Sequence, residues 1–249
     1  MSLVLGLDLG GSSIKAGAVD VVAGHVVGPL DSVPTPPHAI PGDVQQALAT
    51  LIARFPQCTG RIGLAFPAVI KAGVACTAAN VDHSWIGTDA ARILSAAAGR
   101  PGIVVNDADA AGVAEMHVGA GRGEHGLVML LTFGTGIGTA LFVDGRLVPN
   151  SELGHMEVGG REAEQQASAR VRTVEHLGWP AWCERVNRVL AAYDALLWPD
   201  LFIIAGGVSE RWEEFGGLLK ARARIVPAAL RQTAGVVGAA LYAAAQVTR

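Results

Sequence analysis

The feature that most constrains the fold is an internal repeat of a glycine-containing hairpin. Residues 3–20 read LVLGLDLGGSSIKAGAVD and align without a gap to residues 127–144, which read LVMLLTFGTGIGTALFVD. Each copy has the pattern of an apolar strand, a glycine-rich turn and a second strand. A repeat period this long excludes a solenoid of short units. It predicts two related α/β halves that each open with a β-hairpin.

The segments around the two hairpins alternate between helix and strand patterns. Apolar residues recur at helical spacing in DVQQALATLIARF, whereas RIGLAFPAVI and DLFIIAGG have the pattern of strands. A helix that ends at Gly99 and the strand GIVVND precede another helix. We therefore predict an α/β protein of two domains, residues 1–105 and 106–233, with a C-terminal helix at about residues 234–249 that returns to the first domain.

Composition narrows the class of protein. Hydrophobic residues make up 51% of the 249 residues and the net charge is −3, so we expect a buried core and no nucleic-acid partner. The cysteines Cys58, Cys76 and Cys183 form no C-x-x-C motif, which favours reduced thiols in the cytoplasm. A strand-like run starts at once, so no signal peptide is expected. The apolar segment AGVVGAALYAAAQV is too short to span a membrane.

Glycine loops at hairpin tips can bring backbone N–H groups close to a phosphate, although each loop alone is also compatible with a plain turn. Two such loops on related halves are more specific, because together they can grip a phosphate chain. Asp8 in the first loop is either a Mg²⁺ ligand through water or a turn-forming side chain. The candidate phosphate-binding residues are Asp8, Gly10, Gly11, Ser12 and Lys15 in the first loop and Thr132, Gly134, Thr135 and Gly136 in the second.

The stretch VVNDADAAGVAE places Asn106 and Asp107 where a strand ends and a helix begins. Asn106 can cap the helix, with Asp109 at the third helical position as in a capping box. Alternatively, Asp107 lies at the carboxyl end of a strand, where α/β folds bind ligands, and can accept a proton from a substrate hydroxyl. The two interpretations are compatible.

The window SELGHMEVGGREAEQQAS, residues 151–168, concentrates carboxylates around one histidine. Such a group is compatible with a metal site, a polar substrate pocket or a solvated loop. The residues concerned are Glu152, His155, Glu157, Glu162 and Glu164.

Taken together, DLGGSSIK, NDADAA, TFGTGIGTALFVDGRLV, ELGHMEV and AGGVS resemble the ROK family of bacterial sugar kinases in order and spacing. The resemblance covers essentially the whole chain. It implies two actin-like domains of the ribonuclease H-like, hexokinase type with an interdomain cleft. ELGHMEVGGREAEQQAS and WCERVNRVLAAYDALLWPDLFIIAGGVS are most similar to the subgroup that uses inorganic polyphosphate.

The resemblance implies phosphoryl transfer from polyphosphate, ATP or both to the 6-hydroxyl of glucose, with mannose as a further acceptor and Mg²⁺ or Mn²⁺ as cofactor. It assigns Asp107 as the general base and places Gly206 and Gly207 near the nucleotide. The sugar ligands that it implies are Asn80, Asn106, Asp107, Glu152, His155 and Glu164.

One departure concerns zinc. Many ROK proteins carry a cysteine cluster after the Gly-His pair, but no cysteine lies between Cys76 and Cys183 here. We therefore expect no structural zinc, a histidine–glutamate site being the remaining alternative. Four arginines are interpreted either as a track for a long polyphosphate or as solvated surface residues: Arg122, Arg161, Arg170 and Arg172.

Two other functions fit the sequence less well. One is an ATP-only kinase for another sugar, such as fructose or N-acetylmannosamine. The other is a sugar-responsive regulator without enzymatic activity, which is disfavoured because such proteins carry an N-terminal helix-turn-helix. A homodimer is compatible with the family resemblance, and no membrane contact is expected.

Overall fold

The computed structural model describes residues 3–246. The predicted ranges 1–105 and 234–249 extend beyond the described residues. The parts outside are residues 1 and 2 and residues 247–249. Within the described chain, no helix is long and apolar enough to cross a membrane.

The elements alternate along the chain as the sequence pattern predicts. The first part contains β1 Leu3–Leu9, β2 Ser13–Asp20, β3 His25–Pro34, α1 Pro41–Ile52, β4 Ile62–Phe66, β5 Ile70–Lys71, β6 Val74–Ala75, α2 Ala90–Ala98, β7 Gly102–Asn106 and α3 Asp107–Val118. The second part contains β8 Leu127–Phe133, β9 Ile137–Val143, β10 Arg146–Val148, β11 Glu157–Val158, β12 Arg161–Glu162, α4 Ala163–Ala167, α5 Ala169–Val174, α6 Trp179–Leu197, β13 Leu201–Ala205, α7 Trp212–Phe215, β14 Arg224–Pro227 and α8 Ala234–Ala245.

Two main sheets share one plan, which confirms the repeat seen in the sequence. In the described chain, one sheet has the order β3-β2-β1-β4-β7 and the other has the order β10-β9-β8-β13-β14. In each, a hairpin and a third strand pair antiparallel, and two further strands then add in parallel. β1 and β8 are both seven residues long and have the same order of buried and half-buried positions.

The chain divides into two compact units. One takes in the described residues up to Ala114 and from Thr233 onward, and the other runs Glu115–Gln232. The division falls inside α3, whereas residues 105 and 106 stand at the end of β7. Ala110 packs backbone to backbone against Gly238, while the Glu115 carboxylate accepts hydrogen bonds from Ala229 and Leu230 N–H. The two ends of α3 therefore belong to different units.

In the first unit, helices cover both faces of the sheet. α1 and α2 bury Leu48, Leu51 and Leu94 in one apolar cluster that also contains Leu5 of β1 and Leu64 of β4. α8 lies on the opposite face and approaches the strands closely, because Gly6 and Gly63 leave no Cβ between the strand and the helix backbone. Small residues thus position the helix that follows the second unit.

In the second unit, α6 covers the sheet. Trp182 and Val186 of this helix are fully buried with Phe133 of β8 and Phe202 of β13. The Trp182 ring meets the Phe133 ring edge-on, with centroids 5.4 Å apart. The glycine turn that follows Phe133 therefore begins at a rigidly packed strand end.

Candidate active site

The first glycine loop is held by the neighbouring strand β3. Gly10 N–H donates to Ser13 C=O at 3.0 Å, and Thr35 donates its hydroxyl to Gly10 C=O at 2.6 Å. Thr35 N–H also donates to Ser12 C=O at 3.1 Å. Gly11 and Ser12 form an exposed tip. The loop therefore has a fixed backbone and an accessible end, as a phosphate loop requires.

Asp8 and Lys15 occupy paired positions on β1 and β2. Burial raises the pKa of the Asp8 carboxyl above its ordinary value, and the Lys15 ammonium opposes that shift. The carboxylate lies against Gly235, where an added Cβ would come within 2.6 Å of Asp8 Cγ. A nearby cation stabilises the ionised form of a desolvated carboxylate.

The junction of β7 and α3 contains Asn106 and Asp107. Asn106 Oδ1 accepts a hydrogen bond from Asp109 N–H at 3.0 Å, which confirms the predicted helix cap. Its Nδ2 donates to Ala68 C=O at 3.1 Å, so both ends of the buried amide are engaged. Asp107 is half-buried, and its Oδ1 accepts from Ala108 N–H at 2.8 Å. This network sets the backbone from which the Asp107 carboxylate projects.

The second glycine loop joins β8 to β9. Gly134 N–H donates to Gly136 C=O at 3.0 Å, and Gly134 C=O accepts from Arg170 N–H at 3.0 Å. Gly134 and Thr135 are exposed. The loop thus repeats the arrangement of the first one and is braced by the chain that starts α5.

Gly206 and Gly207 follow β13, which pairs in parallel with β8. Gly206 has a φ of 85°, and a Cβ at this position would come within 2.8 Å of Phe133 N. Only glycine fits there. Two predicted phosphate-binding segments, residues 132–136 and 206–207, therefore lie at the same edge of one sheet.

The window 151–168 folds into a compact polar cluster. His155 Nε2 lies 3.9 Å from Glu152 Oε2, and His155 Nδ1 lies 3.7 Å from Glu164 Oε1. The same Nδ1 lies 3.4 Å from Glu162 Oε2. The structure thus brings together the three residues of this window that the family resemblance assigns to sugar binding.

Local interactions explain this arrangement. β11 and β12 form a tight hairpin around Gly159 and Gly160, both with positive φ, and α4 follows immediately. Gln166 of α4 donates from Nε2 to Val158 C=O at 2.7 Å, which ties the helix to the hairpin. Tyr193 of α6 donates its hydroxyl to Leu153 C=O at 2.9 Å and anchors the other side.

The pKa is raised for two groups of the cluster, the Glu152 carboxyl and the Tyr193 hydroxyl. Burial raises the pKa of the Glu152 carboxyl; the neighbouring His155 lowers it, and the charge of Glu164 raises it again. Burial, and then the charge of Glu164, also raise the pKa of Tyr193. Hydroxyl groups that donate to these carboxylates would relieve their desolvation.

Glu162 also belongs to this cluster, although the family resemblance assigns it no role. Its carboxylate contacts His155 and also accepts from Gln165 Nε2 at 2.9 Å. The VGGR turn is the sequence feature that indicates the position of Glu162. A two-glycine hairpin reverses the chain and places Glu162 next to the strand that follows His155. Among the described residues, His155, Glu162 and Glu164 present donor atoms within 4.8 Å of one another, a spacing that a metal ion could use.

The arginines of the predicted polyphosphate track have different environments. Arg172 stacks on Trp179, with its Cζ 3.6 Å from the ring centroid. Arg161 donates from Nη2 to Gln165 C=O at 3.1 Å. Arg122 and Arg170 are exposed, as is Asn80 in the loop after β6. Arg172 is thus engaged in packing. Arg170 lies next to the second glycine loop and is therefore the best placed of the four arginines for contact with a phosphate chain.

Comparisons with known proteins agree with this geometry. The ROK family profile matches residues 4–169. A polyphosphate glucokinase of Mycobacterium tuberculosis is 46% identical over 244 residues, which are 98% of this chain and 92% of that protein. The inorganic polyphosphate/ATP-glucomannokinase of Arthrobacter sp. strain KM matches with a TM-score of 0.95 at 45% identity, over 99% of this chain and 100% of that one.

A more distant structure shares the fold. The ROK family glucokinase of Streptomyces griseus, solved with glucose and AMPPNP, has a TM-score of 0.82 at 23% identity, over 98% of this chain and 100% of that one. The paired sheets and glycine hairpins define an actin-like fold of the hexokinase type. Within that fold class, the chain belongs to the ROK family.

Proposed function

We propose that this protein is a glucokinase that transfers a phosphoryl group from inorganic polyphosphate, from ATP or from both to the 6-hydroxyl of glucose. The observation that carries the proposal is the 46% identity to polyphosphate glucokinases over 98% of the chain. The polar cluster around His155 supports it, because carboxylates and an imidazole are suited to sugar hydroxyls.

Asp107 acts as the general base in this proposal. A hydroxyl must lose its proton as it attacks phosphorus, and a carboxylate at the carboxyl end of a strand can accept it. The hydrogen bond from Ala108 N–H to Asp107 Oδ1 fixes one oxygen of the carboxylate.

Glu152, His155 and Glu164 bind the sugar hydroxyls, with Asn80 and Asn106 as further ligands. Discrimination between sugars follows from pairing, because a sugar that leaves one of these polar groups without a hydrogen bond binds less tightly. The raised pKa of Glu152 fits this role, because a donated hydroxyl hydrogen would offset the desolvation of its carboxylate.

The two glycine loops, residues 206–207 and Lys15 bind the phosphates. Asp8 would offer a carboxylate oxygen to a hydrated divalent cation, because it lies near the end of β1 beside the first glycine loop. When bound, Mg²⁺ would neutralise negative charge on the transferred phosphoryl group. Lys15 opposes the rise in the pKa of Asp8 that burial causes.

A coupled assay of glucose 6-phosphate formation tests the proposal. Long-chain polyphosphate and ATP are supplied separately, each with glucose or mannose and Mg²⁺. We expect product from glucose with at least one donor; no product with either donor would overturn the proposal. Product from ATP alone, and faster with another hexose or N-acetylhexosamine, would select the ATP-only kinase instead. Mannose as a second acceptor, a homodimer and a cytoplasmic location stay predictions.

A further inference from the structure

Glu164 contacts two parts of the second unit that sequence reasoning assigns to different ligands. Its Oε2 accepts a hydrogen bond from Ile137 N–H at 3.2 Å, at the end of the second glycine loop. Its Oε1 lies 3.7 Å from His155 Nδ1 in the polar cluster. One carboxylate therefore touches both the candidate phosphate loop and the candidate sugar ligands.

The loop is shaped to receive this carboxylate. An added Cβ at Gly136 would collide with Glu164 Oε2, so a glycine is needed for the carboxylate to reach the Ile137 N–H. The neighbouring turn is closed by the hydrogen bond from Gly134 N–H to Gly136 C=O. The Glu164 contact thus adds a side-chain brace to a loop whose own backbone bonds are few.

Glu164 is itself held in place. It lies in the first turn of α4, and Gln166 of the same helix donates to Val158 C=O and Arg161 C=O. Arg170, at the start of α5, donates its N–H to Gly134 C=O. The segment 163–174 therefore forms hydrogen bonds with both ends of the loop, at Gly134 and at Ile137.

We infer that Glu164 is a positioning residue that couples the sugar cluster to the second phosphate loop. The inference rests on the proposed function and deepens it. Sugar hydroxyls that engage His155 and Glu164 restrict the carboxylate, and a restricted carboxylate fixes the Ile137 N–H and the loop before it. Binding of the sugar thereby orders the backbone that receives the phosphate donor.

Two substitutions separate the brace from the charge. Glu164→Gln keeps an oxygen that accepts from Ile137 N–H but loses the charge beside His155. Glu164→Ala loses both. We expect the KM for glucose to rise in both variants, whereas the KM for the phosphate donor rises about tenfold in Glu164→Ala and stays within about twofold of the original value in Glu164→Gln.

Glu157→Ala is the matched control, because Glu157 is an exposed carboxylate on β11 in the same window. We expect it to change neither KM. Equal donor KM values in Glu164→Gln and Glu164→Ala, whether raised or unchanged, would overturn the inference.

Hydrogen exchange followed by mass spectrometry tests the brace without any catalytic readout. In the absence of ligands, amides of residues 133–138 should exchange faster in Glu164→Ala than in the parent protein or in Glu164→Gln. Unchanged exchange in Glu164→Ala would refute the brace even if the kinase activity is confirmed. Faster exchange in a protein that phosphorylates no sugar would reject the proposed function and retain the brace.

Discussion

At the scale of single residues, Asp107 is distinguished by its position rather than by its chemistry. It is half-buried at the junction of β7 and α3, and its neighbour Asn106 is buried and fully engaged in hydrogen bonds. The rigid amide beside it limits the movement of the backbone. In the proposed function, this limits the conformational entropy that the carboxylate loses when it faces a substrate hydroxyl.

Replacement of Asp107 by Asn tests its role as the base. The amide keeps the size and polarity of the side chain but accepts no proton at neutral pH, so kcat should fall by about 10²–10⁴-fold. Glucose affinity, measured by isothermal titration calorimetry, should change little. Asp43→Asn, on the exposed start of α1, serves as control. A kcat near that of the parent protein would reject the assignment.

The three cysteines should differ in reactivity. Cys76 is exposed, whereas Cys58 and Cys183 are buried. Burial raises the pKa of the Cys183 thiol to about 11 and raises that of Cys58 as well. Since the thiolate is the reactive form, the native protein should react rapidly with a thiol reagent at pH 8 at Cys76 only.

Peptide mapping after alkylation identifies the modified residues. Denaturant should expose all three thiols to the reagent. Labelling of Cys183 in the native protein as fast as that of Cys76 would contradict the buried environment.

At the scale of elements, several boundaries could be predicted because the local signals are strong. Gly99 ends α2 with a φ of 63°, which its lack of a Cβ allows. Helix α6 coincides with the segment WPAWCERVNRVLAAYDALL. The pairing of Glu157 with Glu162 across β11 and β12 was not predicted. A two-residue strand has no hydrophobic period, so its position depends on the turn and on contacts made by α4 and α6.

Helix α8 packs against the sheet through small buried residues, so a charged side chain at one of these positions should destabilise the fold. Ala240 is fully buried, whereas Ala244 is exposed four residues later on the same helix. Ala240→Asp places an unpaired charge against the sheet and should lower the free energy of unfolding by more than about 3 kcal/mol. Ala244→Asp should lower it by less than about 1 kcal/mol. Urea titration followed by circular dichroism compares the two, and equal losses would contradict the packing of α8.

At the scale of the whole molecule, the duplication is the feature that sequence reasoning captures best. The repeated hairpins predict two related sheets, and the strand orders agree element for element. The division between the compact units inside α3 follows from contacts with no local signature. The Glu115 carboxylate accepts hydrogen bonds from Ala229 and Leu230 N–H, more than a hundred positions along the chain. A pattern of apolar residues within one helix contains no information about such partners.

The proposed activity depends on several parts of the chain together: a base at the end of β7, hydroxyl ligands around His155, and glycine loops for phosphate. Each part alone is compatible with a plain structural role. Their combination in one ROK chain is what favours phosphoryl transfer to a sugar. The donor is the least constrained part, because backbone N–H groups recognise any phosphate chain.

The most direct test of this account is ³¹P nuclear magnetic resonance of glucose incubated with the protein, Mg²⁺ and long-chain polyphosphate in the absence of nucleotide. We expect a phosphomonoester signal coupled to the two protons on carbon 6 of glucose, either with polyphosphate or with ATP supplied in its place, present with the parent protein and strongly reduced with Asp107→Asn. No sugar phosphate from polyphosphate, together with none when ATP replaces it, would contradict the account.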